Sequence, residues 1–153
     1  MTWRNRGRRH ALAVALALVV IGAAMAVGVL WNRPPGDLVG DWLATSVEVD
    51  GSSVLEPTDS SLPTLTLERD GRRLVARVTV GCNTIGAPAT YRIGGGLTFG
   101  DRSTTLIGCP ERLAELESAL GEALDRVDRV EVDGDDLTLT GDDVEMSFTR
   151  LAA

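Results

Sequence analysis

The sequence predicts an α+β domain made mostly of antiparallel strands, preceded by one transmembrane helix. About seven to eight strands are expected, because short alternating runs recur between turn residues. One segment, Pro110–Val127, instead spaces its leucines as in a helix. An uncharged apolar run at residues 11–31 supplies the transmembrane segment.

The apolar run at residues 11–31 is long enough to cross a bilayer, because a helix rises about 1.5 Å per residue and the run reaches roughly 31 Å. Four arginines precede it, and only Arg33 follows closely, so the N-terminus is expected in the cytoplasm and the domain outside the membrane. The alternative is a cleaved signal peptide, since Ala24-Met25-Ala26 has small residues at the required spacing. Apolar residues continue to Leu30 without a polar spacer, which favours an uncleaved anchor.

The predicted organisation is a cytoplasmic basic tail at 1–10, an anchor at 11–31, a stiff linker at 32–36 and an extracytoplasmic domain at 37–151. All 15 basic residues are arginine, and ten of them follow Pro34 together with all 22 acidic residues. The exported part therefore carries a net charge of about −12. Such a surface repels phosphate backbones and anionic lipids, so we expect no nucleic-acid partner and a membrane contact only through the N-terminal helix.

The strands are predicted from segments in which apolar and polar side chains alternate. Asp70-Gly71 joins two of them as a hairpin, and Gly94-Gly95-Gly96 joins another two. The predicted strands are Leu43–Val49, the run around Leu65 and Leu67, Leu74–Val80, Ala89–Ile93, Leu97–Phe99, Val130–Val132, Leu137–Thr140 and Glu145–Leu151.

The helix is predicted to begin near Pro110, whose missing N–H costs nothing in a first turn. Glu111 in the first turn and Arg126 in the last both suit the helix dipole. The face expected to pack on the sheet consists of Leu113, Leu116, Leu120 and Leu124.

Cys82 and Cys109 are the only cysteines in the chain. In an exported domain they favour a structural disulfide, which would restrict the unfolded chain by roughly 3.5 kcal/mol. A redox-active pair and two buried free thiols are the alternatives. No C-x-x-C motif is present to support redox chemistry.

The sequence gives little support for catalysis or metal binding. The only histidine, His10, precedes the anchor, so the exported part lacks histidine triads and histidine metal ligands. Asp133-Gly134-Asp135-Asp136 resembles a calcium loop, but Leu137 stands where an EF-hand needs a ligand. An acid pair stays open because carboxylates are abundant. We therefore expect no enzyme activity, no cofactor and no metal.

Two motif residues have competing interpretations. Trp42 follows Gly40 at the start of a strand and is interpreted as a core anchor, with ligand stacking as the alternative. Asn83 follows Gly81, whose backbone freedom suits a turn, and is interpreted as a cap of that turn.

The motifs together resemble the META domain family, also called HslJ-like after a heat-shock lipoprotein. The resemblance spans about residues 37–151 and rests on Leu38-x-Gly40-x-Trp42, Gly81-Cys82-Asn83, Ser103-Thr104, Gly108-Cys109-Pro110 and Leu137-x-Leu139. It implies an antiparallel curved sheet or partial barrel with one packed helix, an envelope location and an association with stress response, drug tolerance or secretion. The family has no established catalytic residues, so the resemblance implies no catalytic site.

This chain departs from the family pattern in two places. A transmembrane segment replaces the lipidated cysteine that often anchors family members. Ala87-Pro88-Ala89-Thr90 separates Gly86 from Tyr91, where the family runs directly into a strand.

The function expected from these observations is that of a non-enzymatic, membrane-anchored binding or structural module in the cell envelope or its stress response. A binding module would hold an envelope protein or an apolar ligand on its curved sheet, whereas a structural component would hold neither. The alternative from another class is a cleaved, secreted domain with acid-pair hydrolase activity. A deep apolar cavity would favour the binding module, and a fully packed core would favour the structural component. Two carboxylates converging in a cleft would favour the hydrolase.

Overall fold

The computed structural model describes residues 35–56, 61–71 and 73–152. The predicted basic tail, the anchor and most of the linker lie outside these residues, and no helix in the described part is long and apolar enough to cross a membrane. A short 3-10 helix, Gly36–Leu38, opens the described chain. The other elements are β1 (Gly40–Val49), β2 (Ser52–Ser53), β3 (Thr64–Asp70), β4 (Arg73–Val80), β5 (Asn83–Arg92), β6 (Gly96–Phe99), β7 (Ser103–Thr104), α1 (Glu111–Arg126), β8 (Val127–Asp133), β9 (Asp136–Gly141) and β10 (Val144–Arg150).

Eight strands close into an antiparallel barrel, in the order β1-β3-β4-β5-β6-β8-β9-β10. The prediction of a curved sheet or partial barrel is therefore corrected, because β10 pairs back with β1 along Trp42–Val49. The two-residue strands β2 and β7 lie outside this circuit and pair with β1 and β5. Closure removes the exposed sheet edges that would otherwise invite pairing with another chain. The closing pair joins the two ends of the domain, a long-range relationship that no local pattern indicates.

Alternate side chains of the strands fill the barrel. Along β4, for example, Leu74, Ala76, Val78 and Val80 are all buried. A bulge between Ala44 and Ser46 in β1 shifts the alternation by one residue. The core continues on the other strands with Trp42, Ala44, Val47, Leu65, Leu67, Ile85, Ala89, Leu97, Val127, Val130, Leu137, Leu139, Val144, Met146 and Phe148.

Strand β5 is longer than its sequence predicts. It begins at Asn83 instead of Ala89 and continues through Pro88. The Pro88 carbonyl accepts a hydrogen bond from the N–H of Gly100, just beyond the last residue of β6, Phe99. Since the N and C=O of one strand residue point the same way, the missing N–H of Pro88 faces the side where β6 has ended. The proline therefore breaks no ladder hydrogen bond, and residues 83–88, which lie outside the predicted strands, belong to β5.

Helix α1 packs its leucine face into the barrel core, which confirms the predicted packing for three of the four leucines. Leu116, Leu120 and Leu124 are buried, and Leu113 is half-buried. Pro110 immediately precedes the helix, and its carbonyl accepts hydrogen bonds from the N–H groups of Leu113 and Ala114, the latter in the first α-helical turn.

Candidate functional site

The predicted disulfide joins the turn after β4 to the residue before Pro110. Cys82 and Cys109 are bonded, with their Cα atoms 5.9 Å apart. Gly81 beside them has a φ of 57°, and a Cβ there would lie within 3.0–3.2 Å of the Leu113 side chain. Gly81 therefore permits both the turn and the close approach of the helix. Gly81, Cys82 and Cys109 thus form the joint, which is the contact that connects the barrel to α1.

Asn83 connects this joint to the loop that precedes the helix. The residue is buried, with only 4% of its surface exposed. Nδ2 donates to Oε2 of Glu117 at 2.7 Å and to the carbonyl of Ile107 at 3.1 Å, while Oδ1 accepts from the Ile107 N–H at 2.8 Å and from Oγ1 of Thr105 at 3.0 Å. These bonds reach the loop and the helix rather than the turn that the sequence suggested.

The loop before the helix presents two apolar side chains to solvent. Leu106 is 94% exposed and Ile107 is 60% exposed, in a stretch whose backbone is tied to β5. Thr105 supplies part of that tie, because its N–H donates to the Thr84 carbonyl at 3.2 Å and its Oγ1 accepts from the Thr84 N–H at 2.9 Å. The apolar pair is thus held outward by polar contacts made on either side of it.

A groove of about 620 Å³ lies between this loop and α1. Asn83 and Ile85 of β5 contribute to it, the loop forms one wall, and helix residues form the other. Arg102 reaches across one end, where its Nη2 lies 2.7 Å from Oδ2 of Asp125. The lining residues are Asn83, Ile85, Arg102, Thr104, Leu106, Ile107, Gly108, Ala114, Glu117, Ser118 and Glu122.

Two residues missing from the sequence-based site shape that end of the groove. Arg102 lies over Gly121, where a Cβ would collide with the guanidinium. Gly121 therefore makes room for the arginine between helix and loop. A second depression of about 510 Å³ lies against Arg102 and is lined also by Asp101 and Asp125.

The motif residues Gly40 and Trp42 serve a different part of the barrel. Trp42 is fully buried, and its Nε1 donates to the Leu38 carbonyl at 3.3 Å. The Arg150 guanidinium lies 4.0 Å from the centre of the Trp42 ring and donates to the carbonyls of Val39 and Asp37. A Cβ on Gly40 would lie 2.6 Å from the Arg150 guanidinium. Trp42 is therefore a core anchor, which is one of the two interpretations of its sequence position; the other is ligand stacking.

Two of the carboxylates near the grooves are engaged within the domain. Glu117 accepts from Asn83, and Asp125 accepts from Arg102. On the turn between β8 and β9, Asp135 lies 3.6 Å from Arg150. The described residues contain no group of three or more His, Cys, Asp or Glu side chains arranged to hold a metal. A hydrogen bond to Asp50 raises the pKa of Arg126, which stays cationic at any physiological pH.

Of the residues that the sequence singles out, the structure brings Gly81, Cys82, Asn83, Thr104 and Cys109 together and places Gly40 and Trp42 elsewhere. Thr104 is exposed in β7, opposite Ile85. Sequence reasoning missed Glu117, Arg102 and the apolar pair at 106–107. Only the apolar pair leaves a local signal, since two large aliphatic residues stand in an otherwise polar loop.

Comparisons with known proteins agree with this architecture. A solved NMR structure of a protein from Burkholderia xenovorans is similar, with a TM-score of 0.61 and 24% identity over 74% of this chain and 83% of that one. A second NMR structure has a TM-score of 0.55 and 18% identity, covering 77% of this chain and 96% of that one. At these identities the likeness concerns the fold. No curated protein matches the sequence. Residues 37–153 match the family model of the META domain, and the chain therefore belongs to the META domain family.

Proposed function

We propose that this protein is a membrane-anchored, extracytoplasmic binding module whose binding surface is the groove between α1 and the 102–108 loop. Family membership supports a non-catalytic, envelope-associated domain. The observation that carries the binding role is the exposed pair Leu106 and Ile107 at the rim of that groove. Asn83 Oδ1 accepts the N–H of Ile107 and Thr105 Oγ1 accepts the N–H of Thr84, and these hydrogen bonds hold the loop in place.

The barrel interior is a poor candidate for ligand binding. Its inward side chains form one buried cluster that includes Trp42, Met146 and Phe148 together with the helix leucines. Truncating one large side chain in such a core costs about 2–5 kcal/mol, which shows how strongly a packed interior resists empty space. We therefore propose that the binding surface is the groove, and not the curved sheet expected from the sequence.

A protein is a better partner for this groove than a small apolar ligand. The groove is open and its lining mixes carboxylates, hydroxyls and aliphatic groups, whereas small-molecule sites are mostly apolar and enclose their ligand. Burying an exposed leucine or isoleucine side chain contributes about 1.5–3 kcal/mol. Two such side chains at one rim supply the apolar centre that protein interfaces use.

The location is proposed from the N-terminal sequence. The apolar run at 11–31 with arginines before it predicts an uncleaved anchor, and the charge of about −12 beyond Pro34 suits a soluble exported domain. The full-length protein should retain Met1 and be released from membranes only by detergent. A mature N-terminus at Val27 would contradict the anchor and support a cleaved signal peptide.

A purely structural envelope component is the second candidate, and the packed barrel favours it. Site-specific photocrosslinking in intact cells separates the two. A photoreactive residue replaces either Ser118, which lines the groove, or Glu145, which is exposed on β10. Binding predicts a discrete adduct from position 118 that disappears in the Leu106→Asp variant and is not formed from position 145. Identical adducts from both positions, or none from position 118, would support the structural role. The acid-pair alternative has no comparable support, because Glu117 and Asp125 are already hydrogen-bonded.

A further inference from the structure

We propose that the groove binds an extended, cationic segment of a partner protein, which adds as a short strand beside Thr104–Leu106 and places a Lys or Arg side chain against Glu122. This inference rests on the proposed function and specifies the chemistry of the partner. It is carried by three features of the groove: the direction of the loop backbone, the spacing of the helix side chains and the sign of the charge.

The loop backbone has one side available for pairing. β7 pairs with β5 through Ser103 opposite Gly86 and Thr104 opposite Ile85, and the N–H of Thr105 donates to the Thr84 carbonyl. In an extended chain successive backbone groups point to opposite sides. The N–H and C=O of Thr104 and Leu106 therefore point away from β5, and Leu106 makes no hydrogen bond within the described part of the chain. An added strand would satisfy both residues, as in other complexes formed by strand addition.

The helix wall matches the repeat of an extended peptide. Ala114, Ser118 and Glu122 occupy successive positions four residues apart along the groove. Such positions are separated by about 6 Å along a helix, and alternate side chains of a strand are separated by about 6.6 Å. Small side chains at Ala114 and Ser118 leave room for bulkier partner side chains. The third position on this face of the helix is Glu122, and its carboxylate would contact the third partner side chain.

The groove carries negative charge and therefore favours a partner segment with a cationic side chain. Among the described residues that line it, Arg102 is the basic one, and it is already paired with Asp125. Glu117 and Glu122 contribute carboxylates, and Glu111 and Glu115 are exposed on the same helix. Because Glu117 is held by Asn83 and Glu122 is exposed, Glu122 is the carboxylate that a partner side chain meets first. A negatively charged segment would be repelled by this wall.

The test uses full-length protein in neutral detergent micelles and fluorescent, end-capped peptides of four Val-Arg repeats. Binding is followed by fluorescence anisotropy for wild type, for Glu122→Gln and for the matched control Glu145→Gln, which removes an exposed charge from β10. We expect Glu122→Gln to weaken binding about fivefold, as for one partly screened ion pair, and Glu145→Gln to leave it nearly unchanged. A Val-Ser peptide should bind far more weakly.

Backbone pairing is tested with two peptides that carry N-methyl groups on alternate amides, either at every valine or at every arginine. Only one edge of the added strand faces Thr104 and Leu106, so one of these peptides should lose binding and the other should retain it. Equal binding by both, or equal effects of Glu122→Gln and Glu145→Gln, would overturn the inference.

The experiments distinguish failure of this inference from failure of the proposed binding role. If no peptide binds while position 118 still yields its Leu106-dependent adduct, the groove binds a protein of other chemistry and this inference is wrong. If the purified full-length chain instead forms a dimer that Leu106→Asp dissociates, the occupant is a second copy, and the inference is again wrong. If the adduct itself is absent, the binding role fails with it.

Discussion

The side-chain amide of Asn83 donates a 2.7 Å hydrogen bond to Oε2 of Glu117, which ties the first residue of β5 to the middle of α1. The other end of the same amide accepts the N–H of Ile107 and so fixes the loop that stands between them. One buried side chain thus sets the positions of a strand, a helix and the loop. The width of the groove depends on all three.

Asn83→Ala should lower the free energy of unfolding by about 2–4 kcal/mol. The change removes a donor and an acceptor from a buried site and leaves polar groups of Glu117 and Ile107 without those partners. Chemical denaturation measures the loss. Thr104→Ala is the matched control, because Thr104 is exposed on β7 nearby, and it should cost less than about 0.5 kcal/mol. Equal losses in the two variants would contradict the role of Asn83.

Asn83→Asp should make stability depend on pH. The aspartate keeps an acceptor for Ile107 but faces the carboxylate of Glu117 instead of donating to it. Two close carboxylates raise the pKa of the pair in the folded state above the unfolded value. The variant is therefore penalised at neutral pH, and the penalty is lost as the pH falls through the raised pKa. Denaturation at a series of pH values should show the gap in unfolding free energy to wild type narrowing as the pH falls; a gap that does not change would contradict the contact.

Leu120→Ala should cost about 2–5 kcal/mol, because Leu120 is buried where α1 packs into the barrel core. Leu106→Ala removes the same atoms from a side chain exposed to solvent and should cost less than about 0.5 kcal/mol. Thermal or chemical unfolding of the two variants gives a direct comparison. A loss below about 1 kcal/mol for Leu120→Ala would mean that the helix is not packed as described.

Breaking the Cys82–Cys109 bond should lower the melting temperature substantially, since the bond links residues 27 apart in sequence and closing that loop is worth about 3.5 kcal/mol. Cys82→Ser, Cys109→Ser and the double variant should lose nearly the same amount, because each removes the same link. Thiol labelling of the folded, unreduced protein supplies the check. Modification of both cysteines would show that the bond is absent in solution.

Local patterns in the sequence carry much of the fold but not its closure. Alternation predicts β3 and β4, and the leucine spacing predicts α1, because each depends on residues close in sequence. The barrel closes through β1 and β10, which lie more than ninety residues apart. Pro88 suggests a break in β5, yet its missing N–H faces a side on which β6 has already ended, so the strand continues.

The candidate site was accessible from the sequence only in part. The cysteines and the glycine beside them indicate a joint, because their chemistry and backbone freedom are intrinsic. The bond between Asn83 and Glu117 joins residues 34 apart, and neither residue type signals the other. Arg102 is likewise placed by its contact with Asp125 and by the space over Gly121, both of which exist only in the folded chain.

Amide hydrogen exchange in the 102–108 loop tests the groove most directly. In the free full-length protein the N–H groups of Thr105 and Ile107 have acceptors on Thr84 and Asn83, whereas that of Leu106 has none in the described part of the chain. The account predicts slow exchange at Thr105 and Ile107, fast exchange at Leu106, and marked slowing at Leu106 when a Val-Arg peptide binds. Unchanged exchange at Leu106 in the complex, with protection arising on β10 instead, would contradict it.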